Sequence, residues 1–374
     1  MNKISIAAAC LRGLSFDGEK GKIVTWFPET YTASGDVLKL ASLPEEEQQI
    51  IELLRKEWSG QSLVIPEDGG TFVVADSWDE GQALFNGKVP EIQSREGRTV
   101  PAVADKVALV TGGAQGFGEG MVRELIASGA YVFIADMNIK GAAALAENLN
   151  REQGSTRAFA LEVNVTNEES VEAMLDAAAQ TAGGVDIFIS NAGVLKAGSV
   201  KEMALKDFQF VTDVDYTGFF ICTKFASRLM AVQNAPSGEY FTDIIGISSK
   251  SGLEGSNKNG AYAGAKFGSL GLTQSFALEL VTDNIKVNSI CPGNFLDGPL
   301  WSDPDRGLFV QYLNTGKVPG AKTLADVRKF YEDKVPMKRG CETKDVVKAI
   351  YYIVDQKYET GQAVPVTGGQ IMLN

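Results

Sequence analysis

Ser249, Tyr262 and Lys266 fall within one short run, SSKSGLEGSNKNGAYAGAKFG, of a 374-residue chain that contains no histidine. A phenol can exchange a proton with a carbinol oxygen if its ordinary pKa of about 10 is lowered toward neutrality. Tyr262 and Lys266 stand four positions apart, so on a helix they share one face, where the ammonium favours the phenolate. Ser249, at the end of the preceding apolar run, is placed to hold the substrate oxygen and polarise it in the transition state. Such a set performs acid/base chemistry without an imidazole. Taken singly, each residue also has a structural reading, because tyrosine–lysine pairs at this spacing and strand-end serines are common. The surrounding elements decide.

KVALVTGG, AYVFIADMN, VDIFISNAG, TDIIGISS and IKVNSICPG are apolar runs of strand length, separated by stretches with helical periodicity. The alternation predicts an α/β fold with a doubly wound parallel sheet. Right-handed crossovers then put helices on both faces, and ligands bind beyond the carboxyl ends of the strands. The first run leads into TGGAQGFGEG, which holds Thr111, Gly112, Gln115, Gly116, Phe117 and Gly118 in a TGxxxGxG spacing. Glycines at a strand-to-helix turn let the backbone approach a pyrophosphate at the helix N-terminus. The second run ends in Asp136, where a carboxylate can accept from adenosine ribose hydroxyls and repel a 2′-phosphate, favouring NAD over NADP. The alternative for Asp136 is a cap on the next helix.

Before residue 100 the chain has a different character. KISIAAACL and GKIVTWF read as short strands, SLPEEEQQIIELLRKEW as a helix capped by Ser42 with Glu45 at the capping-box position, and QSLVIPEDGGTFVVAD as a hairpin. Trp26, Trp58 and Trp78 lie here, but no active-site motif does. The expected organisation is a small N-terminal α+β domain over 1–88, a polar, proline-punctuated linker over 89–103 and a catalytic domain over 104–374. The N-terminal domain is expected either to pack on the catalytic domain or to join subunits.

A net charge of −12 argues against nucleic acid or an anionic membrane as the main partner, since both require clustered lysine and arginine. Cys10, Cys222, Cys291 and Cys341 have no paired spacing, and without histidine the common zinc ligand sets cannot be assembled. A reduced, metal-free cytoplasmic protein is expected. No run reaches the roughly 20 apolar residues of a transmembrane helix.

TGGAQGFG, SNAG at 190–193, Ser249, YAGAK at 262–266 and PG at 292–293 together resemble the ordered motifs of the short-chain dehydrogenase/reductase family over about residues 104–374. The resemblance implies a Rossmann-type domain that binds NAD through the glycine turn named above, Asp136, Asn164, Val165, Asn191, Ala192, Gly193, Tyr262, Lys266, Pro292 and Gly293. It gives Lys266 a second role, hydrogen bonding to the nicotinamide ribose. It also implies a homodimer or homotetramer built through catalytic-domain helices. Three positions depart from the family pattern, of which Gly246 in IGISS, where many relatives have an asparagine, reads as tolerated variation. Asp215, in DVDYTGFF, replaces an asparagine that supports a proton-relay water; a carboxylate there can fix a helix kink or accept from water, and it repels the phenolate. Asn164, in LEVNVTN, replaces an aspartate near the adenine.

Within the family, SKSGLEGSNKNGAYAGAKFGSLGLTQSFALEL, PGNFLDGPLW and FYEDKVPMKRGCETKDV resemble the branch that interconverts sorbitol 6-phosphate and fructose 6-phosphate with NAD. A phosphorylated substrate calls for cations, and Lys250, Lys258, Lys338 and Arg339 are the candidates, each with a solvated-surface alternative. Asn294 and Asp297 are candidates for polyol hydroxyls or simple turn residues. Two other functions stay open: a family member acting on an unphosphorylated polyol, hydroxysteroid or acyl thioester, and a non-catalytic NAD-binding sensor. A requirement for the terminal phosphate separates the first of these, and the intact serine, tyrosine and lysine argue against the second.

Overall fold

The computed structural model describes residues 1–32, 36–88, 102–305, 307–314 and 316–372. The N-terminal unit contains α1 (Lys3–Leu14), β1 (Ile23–Phe27), β2 (Val37–Leu40), α2 (Glu47–Glu57), β3 (Leu63–Pro66), β4 (Thr71–Ala75) and α3 (Trp78–Phe85). Its strands lie in the order β1-β4-β3-β2, with β2 and β3 parallel and the other pairs antiparallel. The hairpin expected from QSLVIPEDGGTFVVAD is the β3–β4 pair. The expected linker lies outside the described residues, apart from Ala102 and Val103.

Two N-terminal expectations are corrected. KISIAAACL is helical, not a strand: α1 begins at an Asn2 cap that accepts from the Ser5 N–H, and every residue from Ser5 to Gly13 is buried. Alanine favours the helix, and a helix apolar all round is a buried one, so the run carried no periodicity to read. The acidic helix starts later than Ser42. Its N-cap is Glu46, without a side-chain cap, and Glu45 instead meets the Lys3 ammonium at 3.2 Å.

The second unit alternates strand and helix: β5 (Val107–Thr111), α4 (Gly116–Ala127), β6 (Tyr131–Asp136), α5 (Ile139–Gln153), β7 (Ala158–Glu162), α6 (Glu168–Ala182) and β8 (Ile187–Ser190). It continues through α7 (Leu205–Thr212), α8 (Gly218–Asn234), β9 (Thr242–Ile247), α9 (Gly260–Leu280) and β10 (Ile285–Pro292). Short helices α10 (Pro299–Ser302), α11 (Leu308–Asn314) and α12 (Leu324–Asp333) follow, then α13 (Thr343–Asp355) and β11 (Ala363–Val366). The seven strands form one parallel sheet in the order β11-β10-β9-β8-β5-β6-β7. This is the expected α/β, Rossmann-type sheet. Chain order reverses between β5 and β8, and a crevice opens beyond the strand ends there. The continuous apolar runs reflect burial on both faces; β5, β9 and β10 are buried throughout.

The two units share one hydrophobic core, in which Ala8, Leu11, Val24 and Phe72 join Leu109, Phe133, Val171, Phe188 and Leu229. Helix α1 lies against α6 and α8. Gly13 permits that approach, because a Cβ there would come within 2.0 Å of the Gln233 carbonyl oxygen. The Thr25 hydroxyl donates to the Thr181 carbonyl at 3.0 Å, and Trp78 meets Phe159 edge-on at 5.6 Å. At the centre of the junction is Arg12, fully buried. Its guanidinium pairs with Asp186 at 2.6 Å and donates to the Lys22 carbonyl at 2.7 Å.

Candidate active site

The strand β5 ends at Thr111, whose hydroxyl accepts the N–H groups of Asn191 and Ala192 at 3.0 and 3.1 Å. The Asn191 amide donates back to the carbonyls of Thr111 and Gly112 at 2.9 and 3.1 Å. These bonds lock the ends of β5 and β8 together, so Thr111 is buried and acts as a positioning residue. Gly112 and Gly116 have positive φ, 63° and 59°. At Gly118 a Cβ would fall 2.0 Å from the Gly112 oxygen. Only glycine lets α4 start this close to the strand, leaving its N-terminal N–H groups facing the crevice.

Asp136 does not cap α5; Asn138 does, accepting the Gly141 N–H. The Asp136 carboxylate instead accepts the N–H groups of Ala114 and Asn138 at 3.0 and 2.9 Å, which fixes it beside the glycine turn. Asn164 accepts from the Thr166 N–H and hydroxyl at 3.1 and 2.8 Å, and Val165 is buried against Gly218.

A cavity of about 540 Å³ runs from the glycine turn to the chain after β10. Gly112, Gln115, Gly116, Phe117, Gly118, Asn191, Ala192, Gly193, Ser249, Tyr262, Gly293 and Asn294 all line it. Each of these twelve was a candidate cofactor, catalytic or substrate residue in the sequence, and the fold brings them to one cavity. Pro292 ends β10 just below, and the Gly293 N–H donates to the Val366 carbonyl at 2.9 Å. Ser249 follows β9 and accepts the Ser251 N–H at 3.1 Å. Tyr262 and Lys266 lie in the first two turns of α9, with the Lys266 ammonium 5.5 Å from the Tyr262 ring centre.

Asp215 occupies a π-helical turn, Asp213–Thr217, between α7 and α8. Buried, its carboxylate accepts the Val194 N–H at 2.7 Å and stands 3.2 Å from the Lys266 ammonium, which itself donates to the Ile247 carbonyl at 3.0 Å. Gly193 passes directly over the pair; a Cβ there would sit 3.3 Å from Asp215 Oδ2.

Burial pushes the Tyr262 phenol above its usual value; the Lys266 charge opposes this, Asp215 adds to it, and hydrogen bonding by Ser249 lowers it again. The ammonium thus acts in the expected direction but does not outweigh burial and the aspartate in the free protein. Burial likewise raises the Asp215 carboxyl, against the pull of Lys266. Because the Asp215 charge raises the phenol, Asp215→Asn is expected to move the alkaline-rising limb of kcat/KM for alcohol oxidation to lower pH. A pH–rate profile of both proteins measures it. A shift to higher pH would mean that the aspartate chiefly keeps the Lys266 ammonium charged.

Of the four cations expected at the substrate end, Lys250 and Lys258 line the cavity and the other two do not. Lys338 donates to the Asp333 carbonyl at 2.7 Å, and Arg339 holds Asp345 through two hydrogen bonds. Asp297 pairs with Arg328 at 2.7 Å. Sequence reasoning missed the aromatic wall from α10–α12: Trp301 contacts Tyr331 at 4.8 Å, and Tyr312 contacts Tyr331 at 5.6 Å. Phe295, stacked on Phe117 at 4.3 Å, joins this wall to the glycine turn. Lys317 and Lys334 were missed as well, and both line the cavity. The clustering of aromatic residues between 295 and 331 was the available signal.

The short chain dehydrogenase family model matches residues 106–302. The chain belongs to that family. Sorbitol-6-phosphate 2-dehydrogenase of Escherichia coli is 37% identical over 271 residues, covering 72% of this chain and 99% of the relative. Trans-4-hydroxycyclohexanecarboxylate dehydrogenase of Sinomonas cyclohexanicum is 32% identical, covering 73% and 95%. Among solved structures, sorbitol-6-phosphate 2-dehydrogenase of Erwinia amylovora superposes with a TM-score of 0.65 at 38% identity, covering 71% of this chain and all of that one. The N-terminal sheet precedes the family match. As a member of the family, the chain is an oxidoreductase acting on CH–OH groups. Among the described residues, no helix is long and apolar enough to cross a membrane.

Proposed function

We propose that this protein is an NAD-dependent oxidoreductase that interconverts sorbitol 6-phosphate and fructose 6-phosphate. The observation that carries the reading is a single cavity with the glycine turn at one end and Ser249 and Tyr262 in its wall, in a chain 37% identical to a sorbitol-6-phosphate 2-dehydrogenase over nearly the whole of that relative. The glycine turn fits a dinucleotide, since a Cβ at Gly118 would fill the backbone cradle and Asp136 is fixed where ribose hydroxyls would lie. When bound, NAD supplies the hydride acceptor.

The protein's own residues handle the proton and the geometry. Ser249 holds the reacting hydroxyl, Tyr262 takes its proton as the carbonyl forms and returns it in reduction, and the Lys266 charge stabilises the phenolate. Asp215 and the Ile247 carbonyl fix the ammonium beneath the ring. The enzyme is further proposed to be cytoplasmic, in keeping with four free, buried cysteines. It is proposed to form a homodimer or homotetramer, in keeping with exposed Phe220, Phe267 and Leu278 on α8 and α9.

Initial rates of NADH formation with sorbitol 6-phosphate, sorbitol, mannitol 1-phosphate and 4-hydroxycyclohexanecarboxylate test the substrate. Turnover fastest with sorbitol 6-phosphate supports the reading, and preference for the cyclic hydroxy acid replaces it. Cofactor choice has its own test. Asp136→Ala is expected to lower the NAD-to-NADP ratio of kcat/KM by about tenfold or more, because a negative charge facing the 2′-phosphate is removed. An unchanged ratio would detach Asp136 from cofactor selection.

A further inference from the structure

The cavity is lined by four lysines and, among the described residues, by no carboxylate, in a protein of net charge −12. The lysines come from two sides. Lys250 and Lys258 belong to the loop after Ser249, while Lys317 follows α11 and Lys334 follows α12 in the aromatic wall. The second pair is held by rings: the Lys317 ammonium lies 3.9 Å from the Tyr312 ring centre, and that of Lys334 lies 4.2 Å from Phe330 and 5.4 Å from Tyr331. Aromatic faces orient an ammonium without neutralising it, so its charge stays available to a ligand. Burial of Lys250 pulls its pKa down; Glu254 opposes this and the nearby Lys334 charge adds to it. Lys250 and Lys334 line the same cavity, and an anion held between them would relieve the repulsion of their like charges.

We infer that Lys317 and Lys334, opposed by Lys250, form the subsite for the phosphate monoester end of the substrate, several carbons from the carbinol held at Ser249 and Tyr262. This rests on the sugar-alcohol phosphate reading above and assigns the phosphate to the aromatic wall instead of to Lys338 and Arg339. Lysine suits the task as a point charge for a dianion, and three ammoniums lining one cavity match it. A shorter or uncharged substrate would bind the reacting end alone.

The test compares wild type with Lys317→Ala, Lys334→Ala and Lys334→Glu, measuring kcat, the KM for sorbitol 6-phosphate and the KM for NAD, together with the Kd for inorganic phosphate by calorimetry on the NADH-loaded protein. The alanine variants are expected to raise the KM for sorbitol 6-phosphate about tenfold or more, with smaller changes in kcat and in the KM for NAD. Lys334→Glu is expected to raise it further, and each variant weakens phosphate binding. If wild type turns over sorbitol 6-phosphate and the variants match it, the subsite assignment fails while the functional reading stands. If the variants raise the KM for NAD instead, the lysines serve the cofactor and the assignment fails. If wild type turns over no sugar-alcohol phosphate yet binds phosphate in a manner that Lys334→Glu abolishes, the subsite stands and the substrate reading fails.

Discussion

Replacing Tyr262 by phenylalanine is expected to lower kcat for sorbitol 6-phosphate oxidation by about 10²–10⁴-fold, the usual contribution of a positioned general acid/base. NADH binding, followed by fluorescence titration, should change little. The ring keeps its place in the first turn of α9 and its packing over the Lys266 ammonium, while the oxygen that exchanges the proton is gone. Retained turnover would contradict the assignment. It would shift attention to Ser249 in the cavity wall and to Asp215, paired with Lys266.

A second large effect is expected far from the cavity. Arg12→Ala should destabilise the protein by about 3–5 kcal/mol, because it strands the Asp186 carboxylate without its cation in the shared core. Asp186 is bonded on all sides: it accepts from Arg12 and the Val107 N–H through Oδ2, and from Gln233 and the Tyr240 hydroxyl through Oδ1. Val107 opens β5 and Asp186 immediately precedes β8, so the N-terminal helix reaches the two central strands whose far ends carry the glycine turn and SNAG. Burial works against the ionised Asp186, but Arg12 and the hydrogen bonds from Tyr240 and Val107 outweigh it and hold the carboxyl below its usual range. The sign follows. A carboxylate with a lowered folded pKa contributes stability that is present above the ordinary aspartate value of about 3.9 and lost as the pH falls through the folded value. Chemical denaturation of wild type and Arg12→Ala at neutral pH and again below that value measures both effects. The gap should be large at neutral pH and narrow in acid. The double variant Arg12→Met with Asp186→Asn should cost less than the sum of the single changes, because neither charge is then left alone. Equal stability of Arg12→Ala and wild type would show that the Arg12–Asp186 pair does not hold the N-terminal unit in place.

The parallel sheet was legible because its central strands, β5, β6, β8, β9 and β10, are buried along nearly their whole length and therefore mainly apolar, with a turn or a helix between each pair. The glycine turn was legible because Gly112 and Gly116 have positive φ, which favours glycine, and a Cβ at Gly118 would fall 2.0 Å from the Gly112 oxygen, so the pattern follows the geometry. Tyr262 and Lys266 were legible because helical spacing places them on one face. Helix α1 was not. Its residues are buried all round, so KISIAAACL lacks the polar face that separates helix from strand, and its partner Asp186 lies 174 positions away in sequence. The substrate end was only half legible. Lys338 and Arg339 lie in the right stretch of chain but turn to Asp333 and Asp345, whereas Lys317 and Lys334 each sit within five residues of the ring that holds them, so the aromatic cluster was the local signal that went unread.

The central claim concerns which carbon of which substrate is oxidised, and product identification tests it most directly. Wild-type protein is incubated with NAD and sorbitol 6-phosphate, NADH is followed by absorbance, and the sugar phosphate formed is identified by carbon NMR. The account predicts fructose 6-phosphate in one-to-one ratio with NADH, formed about 10²–10⁴-fold more slowly with Tyr262→Phe. An aldose phosphate, a different ketose phosphate, or NADH formation only from an unphosphorylated alcohol would contradict it.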